Sequence, residues 1–199
     1  SKVAFDEIRR LKAAHKNIPV VGVMEDGCAS GCYYIASAAD TIYANPSSLV
    51  GSIGVISGGF GFTGLMDKLG IERRMKTAGA NKGMGDPFSP ETPEQNAIWQ
   101  SMLTDIHTQF VDAVKLGRGK KIDDAKNPDV FSGRVYTGDQ GKQVGLVDEF
   151  GSVYSVSRDV FKAPEMVNYT PKDDFSTSFG RQFGMQMKSA ADTLTLPSW

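Results

Sequence analysis

A chain of 199 residues is long enough for one well-packed domain, and 40% hydrophobic with 23% charged residues excludes a disordered, fibrous or coiled-coil chain. Lys plus Arg total 22 against 23 Asp plus Glu, so no net field recruits nucleic acid or anionic lipid. No apolar run reaches the ~18 residues of a membrane span and no secretory leader opens the chain, so the sequence as given reads as a soluble domain.

Ser1 to Lys16 predicts an amphipathic helix, with Val3, Ile8 and Leu11 on one side and Lys2, Glu7, Arg9, Arg10 and Lys12 elsewhere. A βαβ pattern normally opens with a strand, so the chain is expected to begin partway through one. Ile18 to Met24, apolar and β-branched, reads as a buried parallel strand, and Glu25 to Ala29 as the turn after it. Ser30 to Ala39 predicts a buried helix, which puts Ser30 at the carboxyl end of a strand. Thr41 to Ala44 and Gly51 to Ser57 follow as strands separated by the turn Asn45-Pro46-Ser47-Ser48.

Phe62 to Leu69 predicts a short helix closed by Gly70, and Ile71 to Thr77 a strand. Ala78 to Pro93, with Gly79, Gly83, Gly85, Pro87, Pro90 and Pro93, must be a long loop, a kind of segment that usually serves function. Thr92 caps a helix running to about Leu116, with Pro93 at its first position. Gly133 to Gly138 leads through an amphipathic stretch to Gly145-Leu146-Val147-Asp148. Past Pro171 the hydrophobic period is lost apart from Phe175, Phe179 and Phe183, so the tail reads as mobile or partner-docked. Alternating strands and helices give an α/β class.

Cys28 and Cys32, four residues apart and without a second Cys or His cluster, do not form a zinc framework and read as two free, buried thiols. Between them, Ser30 lies on a small-residue turn from strand to helix, where a hydroxyl is exposed and backbone N–H groups point toward an oxyanion. The flanks Cys28-Ala29-Ser30-Gly31-Cys32 do not match the G-x-S-x-G elbow, and a serine after a strand is more often a helix cap. A serine nucleophile needs a base. His15 and His107 both fall within predicted helices, as packing or solvated histidines do, which weakens a Ser/His/Asp triad. Lys82 sits instead among small residues, Ala78-Gly79-Ala80-Asn81-Lys82-Gly83, where burial can lower a lysine pKa enough for general-base work.

Ala29-Ser30-Gly31-Cys32-Tyr33-Tyr34-Ile35-Ala36, Val50-Gly51-Ser52-Ile53-Gly54-Val55-Ile56, Thr77-Ala78-Gly79-Ala80-Asn81-Lys82 and the Gly133–Gly138 and Gly145–Asp148 segments, in this order, resemble the signal peptide peptidase A family of serine peptidases, family S49. The resemblance covers roughly residues 1–162. It implies a crotonase/ClpP-like fold and a serine endopeptidase with Ser30 as nucleophile, Lys82 as general base, Ser52 orienting the lysine amine and the Gly31 N–H serving the oxyanion. No cofactor or metal is implied. The implied substrates are peptides, such as remnant signal peptides rich in small or apolar residues. The implied setting is a homo-oligomer at the bacterial inner membrane, facing the periplasm or extracytoplasmic side.

Two departures stand out. Cys32 occupies a position where relatives carry glycine, and its Cβ narrows the space beside the nucleophile. The upstream Ser-Pro-Gly-Gly turn, whose glycine N–H helps form the oxyanion hole, is not in this sequence. The expectation is therefore a peptidase domain over 1–162, cut from a longer chain that holds that turn, a first strand and a membrane anchor, followed by an extension over 163–199. An inactive scaffold subunit of the same fold, or an acyl-CoA enzyme of the crotonase type, remain the other readings.

Overall fold

A computed structural model describes residues 1–170, and the expectation for the tail past Pro171 lies outside the described residues. The chain divides at Lys162, and Ser1–Lys162 forms a compact unit that contains every helix and strand among the described residues. The class is α/β. One sheet has the order β1 (Val21–Met24), β3 (Thr41–Ala44) and β6 (Glu149–Phe150), all parallel. A second has the order β2 (Gly27–Ala29), β4 (Leu49–Gly51) and β5 (Val135–Thr137), with β2 parallel and β5 antiparallel to β4.

The N-terminal helix α1 (Lys2–Ala14) forms as its periodicity predicts and buries Phe5. The Phe5 ring meets Tyr34 edge-on at 5.6 Å, and Tyr34 in turn stacks on Phe110 at 4.8 Å. Tyr34 belongs to α2 (Gly31–Ala36), and Phe110 to α4 (Pro93–Arg118), which follows the short α3 (Thr63–Leu69), so α1, α2 and α4 meet through one aromatic column. Tyr33, on the next position of α2, is fully buried and donates its hydroxyl to the Leu146 carbonyl at 2.8 Å. Burial pushes its phenol well above the usual range.

Helix α4 starts where the sequence predicts. Thr92 accepts from the Gln95 N–H while the Gln95 side chain returns to the Thr92 N–H, a capping box with Pro93 at the first turn. Its far end is fixed by charge. Arg118, fully buried, makes a two-pronged contact with Asp148 at 2.8 and 3.0 Å and also donates to the Gly145 carbonyl. Lys121 adds a second cation 2.7 Å from Asp148, and the Ile42 N–H donates to the same carboxylate at 2.7 Å. The Gly145–Asp148 segment therefore ties α4 to β3.

Several boundaries differ from expectation. The first strand begins at Val21 rather than Ile18, because Pro19 has no N–H to donate and Val20 is occupied by hydrogen bonds with Asp40. Residues 25–29 contain β2 as well as a turn. The strand expected over Gly51 to Ser57 is only the end of β4; past Ser52 the chain leaves the sheet. Ile71 to Thr77 forms no strand, since no strand among the described residues pairs with it, and it is exposed throughout. The two cysteines are not free thiols. They form a disulfide, because the turn between them brings their Cα atoms to 4.9 Å.

Candidate active site

Two parallel strands place the site. In the β2–β4 register Ala29 lies opposite Gly51, so the residues that follow, Ser30 and Ser52, leave the sheet side by side at the carboxyl ends of their strands. That is the edge of an α/β sheet where ligands usually bind. The Ser30 N–H donates to the Gly51 carbonyl at 2.8 Å, extending the pairing by one residue before α2 begins. The Ser52 N–H donates to the Arg134 carbonyl at 2.8 Å, and the Gly54 N–H returns to the Ser52 carbonyl at 3.0 Å.

Both serines adopt backbone conformations that side chains disfavour. Ser30 has φ 55° and ψ −123°, the geometry of the first central residue of a type II′ turn, and Ser52 has φ 53°. Lys162 is the only other non-glycine residue with positive φ among the described residues. Gly51 between them has φ 83°, and a Cβ there would sit 3.0 Å from the Tyr136 ring and 3.1 Å from the Arg134 carbonyl. Backbone strain of this kind persists only where surroundings enforce it, and it clusters at functional sites. The structure thus builds a sharp strand-to-helix elbow at Ser30 although the sequence lacks the glycines that usually allow one.

Ser30 and Ser52 line one open cleft of about 470 Å³. One wall is the irregular segment Gly54 to Ile56, and another is the α4 face formed by Gln100, Leu103, Thr104 and His107. His107 is the one titratable side chain among the lining residues, and its Nε2 lies 3.1 Å from the Ile53 carbonyl. Because it falls within a helix, His107 reads from the sequence as a packing or solvated histidine. Its spacing from Gln100, Leu103 and Thr104 is the signal that places it on the cleft-facing side.

The remaining expected residues are distributed as follows. Gly31 is the first residue of α2, where the N–H has no intrahelical acceptor. Lys82 lies in the exposed loop after Thr77, its own N–H closing a turn onto the Gly79 carbonyl at 3.1 Å. It is not among the residues that line the cleft. The single chain therefore brings together Ser30, Ser52 and Gly31, and leaves Lys82 apart. Among the described residues, no group of His, Cys, Asp and Glu is placed to hold a metal ion.

A hydroxyl on a strained turn, at the carboxyl edge of an α/β sheet and facing an open cleft, defines a class of site suited to acyl transfer. The chain belongs to peptidase family S49, whose family model matches residues 12–165. It is 32% identical over 146 residues to "Serine protease SPPA, chloroplastic" of Arabidopsis thaliana, covering 73% of this chain and 21% of that protein. It is 30% identical over 184 residues to "Protease 4" of Haemophilus influenzae, covering 90% of this chain and 28% of that one.

A protein of Brucella melitensis named "Na(+)/H(+) antiporter NhaA" is 45% identical over 161 residues, covering 81% of this chain and 22% of that protein. The chain thus spans between about a fifth and under a third of these three relatives. Among the described residues no helix is long and apolar enough to cross a membrane. Among solved structures, an enoyl-CoA hydratase/isomerase family protein from Silicibacter pomeroyi matches with a TM-score of 0.42 and 16% identity, covering 96% of this chain and 63% of that chain. A likeness at that level bears on neither substrate nor mechanism.

Proposed function

We propose that the chain is the catalytic region of a serine endopeptidase in which Ser30 attacks the peptide carbonyl. The observation that carries this is the pair of strained serines, Ser30 and Ser52, at one cleft in a chain of a peptidase family. Ser30 Oγ forms the bond to the carbonyl carbon as its proton passes to the Lys82 amine. Lys82 then protonates the departing amine, and water releases the acyl group by the reverse proton path. The Gly31 N–H donates to the oxyanion, and Ser52 orients the lysine.

This reading requires the loop carrying Lys82 to close on the cleft, from the same chain or from an adjoining copy. Closure would desolvate the amine, the condition under which lysine serves as a base. Self-association fits the large apolar side chains left exposed, including Ile56 at 93% and Phe60 at 81%, the latter beside Phe62, which stacks on Phe88 of that loop. The apolar wall residues Val55, Ile56 and Leu103 suit small or apolar peptide side chains, as found in remnant signal peptides. The disulfide fits an oxidising, extracytoplasmic compartment beside the bacterial inner membrane.

The testing experiment measures cleavage of a fluorogenic peptide with a small apolar residue before the scissile bond. Wild type, Ser30→Ala, Lys82→Ala and His107→Ala are compared. The dyad requires that the first two variants lose at least about a thousandfold in kcat/KM, with His107→Ala retaining most activity. A Lys82→Ala enzyme with full activity would remove Lys82 from the mechanism. Loss in His107→Ala alone would move the base to α4. Mixing inactive Ser30→Ala with inactive Lys82→Ala and recovering cleavage would show the lysine arriving from a second copy.

A further inference from the structure

The Cys28–Cys32 disulfide closes a loop of three residues, Ala29, Ser30 and Gly31, with Ser30 at its centre. Its two ends differ. Cys28 belongs to β2 opposite Val50 and is buried at 7% exposure, whereas Cys32 is the second residue of α2 and is exposed. The bond therefore joins the sheet core to an exposed residue, and it does so directly across the elbow. Ser30 inside that loop holds the positive φ of 55°. Apart from the disulfide, the elbow is held by the Ser30 N–H bond to Gly51 and by the first α2 bond, from the Tyr34 N–H to the Ser30 carbonyl at 2.9 Å.

We propose that Cys28–Cys32 is a redox modification site for dithiol reductants, and that its oxidised form clamps Ser30 in the strained elbow that its reduced form releases. A thiolate of the dithiol attacks the sulfur of the exposed Cys32. The Cys28–Cys32 bond breaks and Cys28 departs as a thiolate, which takes up a proton. The second thiolate of the dithiol then attacks its own sulfur in the mixed disulfide, releasing Cys32 as a thiolate. Two electrons pass from the dithiol, which becomes a cyclic disulfide, to the protein, which becomes a dithiol.

Opening the loop lets the Cα atoms of Cys28 and Cys32 move apart beyond the 4.9 Å that the cross-link holds, within the reach of the backbone through Ser30, and φ at Ser30 can then return to a negative value. The hydroxyl then no longer stands where the elbow held it. The kinetic half of this inference rests on Ser30 being the nucleophile; the structural half does not.

The test uses the full chain, oxidised or treated with dithiothreitol, with iodoacetamide alkylation read by mass spectrometry, amide hydrogen exchange, circular dichroism and peptide cleavage. Reduction should allow two alkylations, Cys32 before Cys28, and should speed exchange at Ser30 to Cys32 while the dichroism spectrum is retained. Strain of the size held at one such residue predicts a fall in kcat of about tenfold to a hundredfold, with KM within about twofold. Reoxidation should restore both.

The double variant Cys28→Ser/Cys32→Ser should match the reduced protein and ignore dithiothreitol. Failure to reduce the bond in the folded protein, unchanged exchange after full reduction, or global unfolding on reduction each overturns the proposal. If the oxidised protein cleaves no peptide, the peptidase reading fails, and the exchange comparison alone upholds or overturns the clamp. If exchange changes and an active enzyme keeps its kcat, the clamp has no catalytic role and the proposal is overturned.

Discussion

Replacing Asp148 with Asn tests the charge network that fixes the end of α4. Burial of this carboxyl works against its charge, but the hydrogen bonds from Arg118, Lys121 and the Ile42 N–H outweigh it and lower its pKa from 3.8 to about 2. A fall of that size corresponds to about 2 kcal/mol of stability from the charged form. The variant also leaves the Arg118 guanidinium, 1% exposed, without its counter-charge, although the Gly145 carbonyl still accepts from it. Truncating one partner of a buried pair typically costs about 3 kcal/mol or more, so about 3 kcal/mol is expected here, a drop in Tm of about 6–12 °C.

The pH dependence is the sharper readout. Because the folded pKa lies below the unfolded one, the carboxylate contributes fully above about pH 5 and its contribution fades as pH falls through about 2. Urea denaturation of wild type and Asp148→Asn from pH 7 to pH 2 should therefore show a stability gap that narrows on acidification. A gap that stays constant with pH, or one below about 1 kcal/mol at pH 7, refutes the reasoning.

Three other outcomes follow from the packing. Gly117→Ala should destabilise by several kcal/mol or prevent folding, since a Cβ at that point of α4 would collide with the Ser37 carbonyl, and thermal melts will read it. Tyr33→Phe should lose about 1–2 kcal/mol in urea denaturation, because it removes the buried donor to the Leu146 carbonyl. His107→Leu should raise KM more than it lowers kcat on the fluorogenic peptide by loosening the wall at Ile53, and His107→Gln, which keeps a donor, should recover part of the loss.

What was legible in the sequence was what local chemistry decides. Thr92 and Pro93 announce the start of α4, Gly70 ends the helix Thr63–Leu69 as expected, and the alternation of elements gives the class. Thr41–Ala44 is read without error because it is a short β-branched run ending at a turn. Where neighbours decide, the reading fails. Ile71 to Thr77 has strand composition but no partner strand among the described residues, and Gly27–Ala29 looks like turn until β4 pairs with it.

The candidate site divides in the same way. Ser30 stands out by its strand-to-helix turn and Ser52 through the resemblance alone, yet their adjacency follows from a register that composition does not encode. The disulfide follows from the elbow between its halves, so reading the cysteines apart from that turn made them free thiols. His107 reads as a packing or solvated histidine because it lies within a helix, although its spacing from Gln100 and Leu103 puts it on the same helical face as they are. Lys82 has a recognisable loop, but a loop's sequence does not say what it closes upon.

Helix α4 does two separate jobs along its length. Its last turns, with Phe110, Ala113, Val114 and Arg118 buried, are anchored in the core, while Gln100, Leu103, Thr104 and His107 earlier along it form a cleft wall. About one turn separates the two sets. Substitutions before that turn should cost folding less than substitutions beyond it, since the buried anchor lies beyond them. The shape of the cleft and the anchoring of the core are thereby carried by separate stretches of one continuous helix.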